Sequence, residues 1–238
     1  MKSSASTVFQ YFVTRCGTVF KERCVDLFPL SFMLEIRLSR CEHAFKNALM
    51  INAGAHRHNR RHQLEGALSD AWQAYCSFVR QLLIRSCGGC TTAGGVMHAA
   101  SIKPSGWKRA SYIAIQASRE KAVQVGRVND ILRREPTWGD ASNIAKIVSS
   151  LNPGNSQTLI SHLCGGLLGP KHCQVVRNAC AHRNHQTKRE VESLAAGYLA
   201  FRIKDPIDAM TWRESTTLDY AFLSWLDDMR TIAAGAVG

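Results

Sequence analysis

The spacing of the apolar residues constrains this chain most, because they recur every three or four positions along most of its length. Residues 63–86 show the pattern best, with one apolar face made by Leu64, Leu68, Trp72, Tyr75, Phe78, Val79, Leu82 and Leu83. This spacing predicts amphipathic helices that bury their apolar sides against one another. Residues 32–50 repeat it, and no convincing pair of alternating strands is found. The predicted fold class is all-α, a helical bundle.

Glycine and proline divide the rest of the chain. Asn152-Pro153-Gly154-Asn155 predicts a turn, and Gly169-Pro170 predicts the start of a new helix. Either Asp140 or Ser142 can cap the helix that follows them. Residues 91–112 are predicted as a loop, and residues 8–27 fit a helix loosely. Further helices are predicted over 113–135, 144–151, 156–168, 171–185, 187–203 and 216–234.

The net charge of +12 over 238 residues indicates an anionic partner, either a nucleic acid or a membrane surface. No apolar stretch approaches the roughly 20 residues that cross a bilayer, so no membrane partner is predicted. The chain contains nine cysteines, an odd number, and they are scattered through predicted helices. That usage is typical of reduced, buried thiols in a cytoplasmic protein.

Polar and basic residues concentrate in the stretch Lys171–Arg189, which includes Arg177, Asn178 and His182. Asn178 and His182 are four residues apart and would lie on one face of a helix. Arg177 and His182 are five apart, about 140° around the axis. They would meet only if the helix starts or kinks between them, or if two copies bring one arginine to the other copy's histidine.

Arg177-Asn178-x-x-x-His182 resembles the R-x4–6-H motif of the HEPN superfamily in its Arg-Asn-x-x-x-His form. The resemblance covers the six-residue motif, its placement near the start of a late helix, and the all-α context. It implies a HEPN-like domain over 57–238 preceded by an N-terminal helical extension over 1–56. It also implies a homodimer with a composite active site. Many members of the superfamily are metal-independent endoribonucleases, either toxins of toxin–antitoxin systems or effectors of antiviral defence.

The resemblance implies catalytic roles for Arg177, Asn178 and His182. Imidazole exchanges protons near neutral pH, so His182 could take the proton of the ribose 2′-hydroxyl. Arg177 could hold the phosphate oxygens, and Asn178 could orient the ring or contact the phosphate. This chemistry needs RNA but no metal or cofactor. RNA-backbone contacts are predicted for Arg183, His185, Lys188, Arg57, Arg60 and Arg61, and a supporting polar role for Glu65 or Asp70.

Other interpretations remain open. The chain could be a non-catalytic helical module that binds RNA or protein, or an antitoxin-like or regulatory partner. His56–His62 could equally be a solvated basic turn. Cys87-Gly88-Gly89-Cys90 could be a redox pair or half of a zinc site, but it follows a helix and has only His98 as a nearby further ligand. Structural glycines and incidental thiols are the preferred interpretation of that motif.

Overall fold

Helices dominate the computed structural model, which describes residues 24–102, 106–198, 203–214 and 218–238. The all-α fold class is therefore confirmed. The described helices, in chain order, are α1 (Phe28–Met50), α2 (Arg57–Cys87), α3 (Trp107–Ser118), α4 (Ala141–Leu151), α5 (Ser156–Leu163), α6 (Gly169–Ala181), α7 (His185–Gly197), α8 (Pro206–Met210) and α9 (Ala221–Val237).

The long helix α2 forms the centre of the bundle, and α1 packs along it. Both helices bury apolar residues at three- and four-residue steps, as their sequences predict. On α1 these residues include Leu34, Leu38 and Phe45, each at most 2% exposed. The described part of the predicted extension, residues 24–56, thus shares one core with the other described residues. The predicted helix over 8–27 lies mostly outside the described residues.

The C-terminal helix α9 packs against α1, α5 and α6. Aromatic rings join α9 to two of these helices, since the ring centroids of Phe45 on α1 and Phe222 are 4.8 Å apart and those of His172 on α6 and Trp225 are 6.0 Å apart. The backbone of Gly169 at the start of α6 also reaches α9, where its N–H donates to Asp228 Oδ2 at 2.8 Å. These contacts set the position of α6, which carries the motif.

A small three-stranded sheet joins the start of the described chain to the end of α2. β1 (Val25–Asp26) runs parallel to β2 (Cys90–Thr91), which runs antiparallel to β3 (Met97–His98). No strand pair is expected from the sequence, because two-residue strands are too short to show an alternating pattern. Cys87-Gly88-Gly89-Cys90 links α2 to this sheet, and Gly89 has a φ of +90° that suits glycine.

The prediction of a helix over 113–135 is wrong. The helix there is α3, which begins at Trp107 within the segment predicted as a loop and ends at Ser118, and a loop follows it. Val125 in that loop is 97% exposed, so no surface among the described residues buries the valines that suggested a helix. Gly126 has a left-handed φ, and the Asn129 side chain bonds to the backbone of Ile131. Both features favour a turn rather than a helix in this segment.

Other helix boundaries follow local signals. Asp140 rather than Ser142 caps α4, accepting a hydrogen bond from the Ser142 N–H. Asn152 adopts the left-handed conformation at the predicted turn, and α6 begins at Gly169 as predicted. No helix within the described ranges is both long enough and apolar enough to cross a bilayer.

Candidate functional site

The motif spans the end of α6, whereas the HEPN resemblance predicts it near the start of a helix. Arg177 and Asn178 lie in the last two turns of α6, and His182 follows its last residue. The buried residues Cys173 and Val176 hold the helix to the core, and the Cys173 thiol lies 3.9 Å from the Leu68 carbonyl of α2. The motif is therefore placed by a rigid helix, with its histidine on the turn beyond it.

A hydrogen-bonded turn forces α6 to end at this point. Asn184 Oδ1 accepts from the Thr187 backbone N–H at 3.0 Å, and the Thr187 hydroxyl donates to the His182 carbonyl at 2.5 Å. Asparagine is a preferred helix N-cap, so Asn184 starts α7 in competition with a longer α6. The predicted helix over 171–185 is therefore divided. The turn leaves the His182 and Arg183 side chains exposed.

Glu65 on α2 connects two of the predicted RNA contacts. Its Oε1 accepts from Arg61 Nε at 2.7 Å and from Arg183 Nη2 at 3.3 Å. Arg61 also donates from Nη1 to Asp205 Oδ2 at 3.0 Å. The Arg61 side chain is only 24% exposed, so two carboxylates hold its guanidinium in a defined position. Glu65 thus lies beside the end of α6, and its supporting role in the site stays a prediction.

A basic pocket of about 350 Å³ opens beside this network, and we call it the α7 pocket. Four of the predicted RNA contacts line it: Arg61, Arg183, His185 and Lys188. The structure adds Lys204 and Asp205, which the sequence did not identify. Asp205 contacts Arg61 although 144 residues separate them in the sequence, and no local sequence pattern predicts such a contact. The only sequence signal near Lys204 and Asp205 is Asp205-Pro206, which marks the start of the short helix α8.

Arg177 and Asn178 face a different part of the surface. Arg177 Nη1 donates to the neighbouring Asn178 Oδ1 at 3.4 Å. Burial raises the pKa of the Cys76 thiol on α2 to about 11, and the nearby charge of Arg177 opposes that rise. Asn178 lines a second pocket, of about 490 Å³, together with Asp140, Lys171 and Glu190. Among the described contacts of one chain, none joins Arg177 to His182.

The remaining predicted residues lie at the edge of the site or away from it. Arg57 begins α2 one turn before Arg61, so it shares that face of the helix. Arg60 is half-buried on the neighbouring face. His56–His62 is therefore mostly the first turns of α2 and not a separate basic loop. Asp70 lies near Cys41 of α1, where burial and the Asp70 charge raise the pKa of that thiol to about 11. It therefore has no part in the α7 pocket.

The described residues contain no cluster of three or more side chains suited to hold a metal ion. Cys87 and Cys90 are both buried as free thiols, and burial raises the pKa of Cys87 to about 12. A thiol held protonated in this way is a poor nucleophile. The Cys-Gly-Gly-Cys motif therefore serves here as the link between α2 and the sheet.

No protein-family model matches the chain, and searches of curated proteins and of solved structures find no match.

Proposed function

We propose that this protein binds RNA across the α7 pocket and cleaves it without a metal ion, as a HEPN-type endoribonuclease. The observation that carries the proposal is the convergence of Arg61, Arg183, His185, Lys188 and Lys204 around one pocket beside the exposed His182. Clustered cations attract a polyanion and position its phosphates. Such an enzyme would suit a toxin or a defence effector restrained by a regulatory protein.

The chemistry of the proposal needs a nucleophile that RNA itself supplies. His182, exposed on its turn, takes the proton of the ribose 2′-hydroxyl, and the oxygen attacks the adjacent phosphorus. The leaving 5′-oxygen takes a proton from a second imidazole. Arg177 stabilises the charge that develops on the phosphate oxygens. The products are a 2′,3′-cyclic phosphate and a 5′-hydroxyl, and DNA is not cleaved because it lacks the attacking group.

A homodimer is part of the proposal because one chain does not bring the reacting groups together. Arg177 contacts Asn178 and lies toward α2, while His182 is beyond the helix end. An arginine from one copy facing the histidine of its partner removes this separation. The proposed site therefore lies at a two-fold axis, where each interface presents two copies of the motif.

A second candidate function is RNA binding without cleavage. The same separation of Arg177 from His182 favours it, as does the motif's position at the end of a helix. The α7 pocket would then hold RNA with no reacting group in place. This candidate shares the binding surface of the first and differs only in the role of His182.

The His182→Ala variant separates the two candidates. It is assayed with labelled single-stranded RNA in EDTA, and its RNA affinity is measured in parallel. Because general acid–base catalysis contributes about 10²–10⁴ in rate, cleavage should fall at least about a hundredfold while affinity persists. His43→Ala, at an exposed position on α1, is the matched control. Wild-type protein that binds RNA and leaves it intact would establish the second candidate instead.

Mixing two inactive variants tests the composite site. If Arg177→Gln and His182→Ala chains exchange freely, half of the dimers carry one variant of each kind. Each mixed dimer retains one intact arginine–histidine pair but lacks the second imidazole, so activity should rise above that of either variant alone and stay below about a quarter of the wild-type value. If verified mixed dimers recover no activity, the site is not shared between chains.

A further inference from the structure

The α7 pocket combines an apolar floor with a charged rim. Pro206, which is partly exposed, forms this floor, together with the buried residues Ala179 and Val191, which are 5% and 0% exposed. The rim carries Arg183 and Lys188, whose side chains are 65% and 60% exposed. A bare inorganic anion has no surface that would match the apolar floor. A ligand with a flat apolar part and a phosphate at one end matches both.

The charges around the pocket favour a phosphate. Its cations are Arg61, Arg183, Lys188 and Lys204, and the carboxylates beside them are Asp205, Glu65 and Glu192. Four positive and three negative charges leave +1. A phosphate monoester presents three terminal acceptor oxygens, whereas a diester within a strand presents two. A terminal phosphate can therefore contact more of these cations than an internal one.

Arg61 is already positioned to receive such a group. Its bonds to Glu65 and Asp205 use two of its five N–H groups, which leaves three for a ligand. The first turn of α7 also lines the pocket, through Asn184, His185, Thr187 and Lys188. The N-terminus of a helix adds partial positive charge for an anion, here alongside charged side chains.

We propose that the α7 pocket binds a single nucleotide through its phosphate monoester, with the base or sugar against the apolar floor. Its volume of about 350 Å³ lies at the lower end of the range for small-ligand pockets, which fits one nucleotide. Where that nucleotide is the end of an RNA, the inference rests on the proposed function. The pocket then recognises a phosphorylated RNA end.

Binding to one RNA sequence with different ends tests the inference. The probes are 2′-O-methyl oligonucleotides, which resist attack by the 2′-oxygen, with a 5′-phosphate, a 3′-phosphate or two hydroxyl ends. We expect one phosphorylated form to bind at least about tenfold more tightly than the hydroxyl form to the full-length chain. Adenosine monophosphate, measured against adenosine, tests whether a free nucleotide is the ligand.

Lys188→Gln is the informative variant, because Lys188 is exposed on α7 and its nearest carboxylate contact is Glu192 at 3.7 Å. Lys121→Gln is its matched control, since it removes the same charge from an exposed site beyond α3. Lys188→Gln should abolish the preference for a phosphorylated end, and Lys121→Gln should leave it unchanged.

The outcomes separate this inference from the proposed function. Equal binding of all probe ends, with adenosine monophosphate no tighter than adenosine, would overturn the nucleotide pocket while leaving RNA binding intact. Tight binding of adenosine monophosphate with none of RNA would support the pocket and refute the proposed function. A tenfold preference that survives in Lys188→Gln would place the phosphate elsewhere and overturn the inference.

Discussion

Replacing Glu135 with glutamine should destabilise the fold strongly, because its carboxylate joins three parts of the chain. Arg80 of α2 donates to both of its oxygens, at 2.6 and 2.9 Å. The Ser111 hydroxyl and Trp138 Nε1 donate to it as well, each at 2.8 Å. The side chain of Glu135 is only 7% exposed, so water contributes little to its solvation. In Glu135→Gln an amide NH₂ replaces one of the two carboxylate oxygens. That NH₂ then faces two hydrogen-bond donors from which the oxygen had accepted.

The size of the effect follows from these contacts. Hydrogen bonds to charged groups contribute about 1.5–3 kcal/mol each, and removing one partner of a buried ion pair costs about 3–5 kcal/mol. The Arg80 side chain is 25% exposed and can regain some water, which places the loss near the lower end, at about 3 kcal/mol. With a urea m-value of about 2–3 kcal/mol/M, the unfolding midpoint should fall by about 1–1.5 M.

Urea unfolding followed by circular dichroism at pH 7 measures this loss. Glu120→Gln is the matched control, because Glu120 forms an ion pair with Lys146 at the surface and should leave the midpoint unchanged. A loss below about 1 kcal/mol for Glu135→Gln would refute the assignment of a strong buried network, given the cited hydrogen-bond energies.

The pH dependence of stability provides a second test of the contacts of Glu135. Burial tends to raise the pKa of its carboxyl, but the hydrogen bonds from Arg80, Ser111 and Trp138 outweigh this and lower it from 4.5. A carboxyl with a lowered folded pKa stabilises the protein above its unfolded pKa, and this contribution disappears as pH falls through the folded value. The difference between wild type and Glu135→Gln should therefore shrink below about pH 4.5. A difference in the free energy of unfolding that stays constant below about pH 4.5 would contradict this coupling between protonation and stability.

Three further predictions concern the elements that hold the site. Gly169→Ala places a Cβ 2.7 Å from the Trp225 carbonyl oxygen, a backbone atom that cannot easily move, and should cost about 1–3 kcal/mol in thermal unfolding. Gly166→Ala, which meets nothing within 4 Å, should be tolerated, and equal losses would argue against the close approach. Asn184→Ala removes the cap of α7 and should lower the free energy of unfolding by about 1 kcal/mol, a value that chemical denaturation can check. Burial, assisted by the Lys171 charge, lowers the pKa of His172 below 6.5, so the unfolded chain binds its proton more readily. Stability should consequently decline as pH falls below about 6.5, and the decline should be smaller in His172→Gln; identical pH profiles would exclude His172 as its source.

Much of the helical architecture could be predicted from the sequence. The apolar stripe of α2 appears as three- and four-residue spacing, and the same residues are buried in the core. The stripe of α1 is only partly readable, because Leu38 and Phe45 are buried as expected but Met33 is 57% exposed and Leu34 is buried instead. Gly169-Pro170 and Asp140 mark helix starts through local chemistry that acts within one turn. The end of α6 was also readable in principle, because Asn184 and Thr187 form a capping pair three residues apart.

The loop after α3 shows where periodicity misleads. Its valines recur at a spacing that suits a helix, but a helix there would need a neighbouring surface on which to bury them. The described part of the chain provides none, and Val125 stays 97% exposed. Isolated helices gain little from propensity alone, so tertiary packing decides whether such a segment becomes helical.

The sequence by itself determined the helical class, the core-facing stripes and the basic stretch that contains Arg183, His185 and Lys188. Only the tertiary structure decided that Arg61 and Lys204 join that stretch around one pocket, and that Arg177 lies apart from His182. The reason is the range of the interactions. A stripe or a cap depends on residues within one or two turns, whereas the α7 pocket depends on how distant helices pack, as the contact of Arg61 with Asp205 across 144 residues shows.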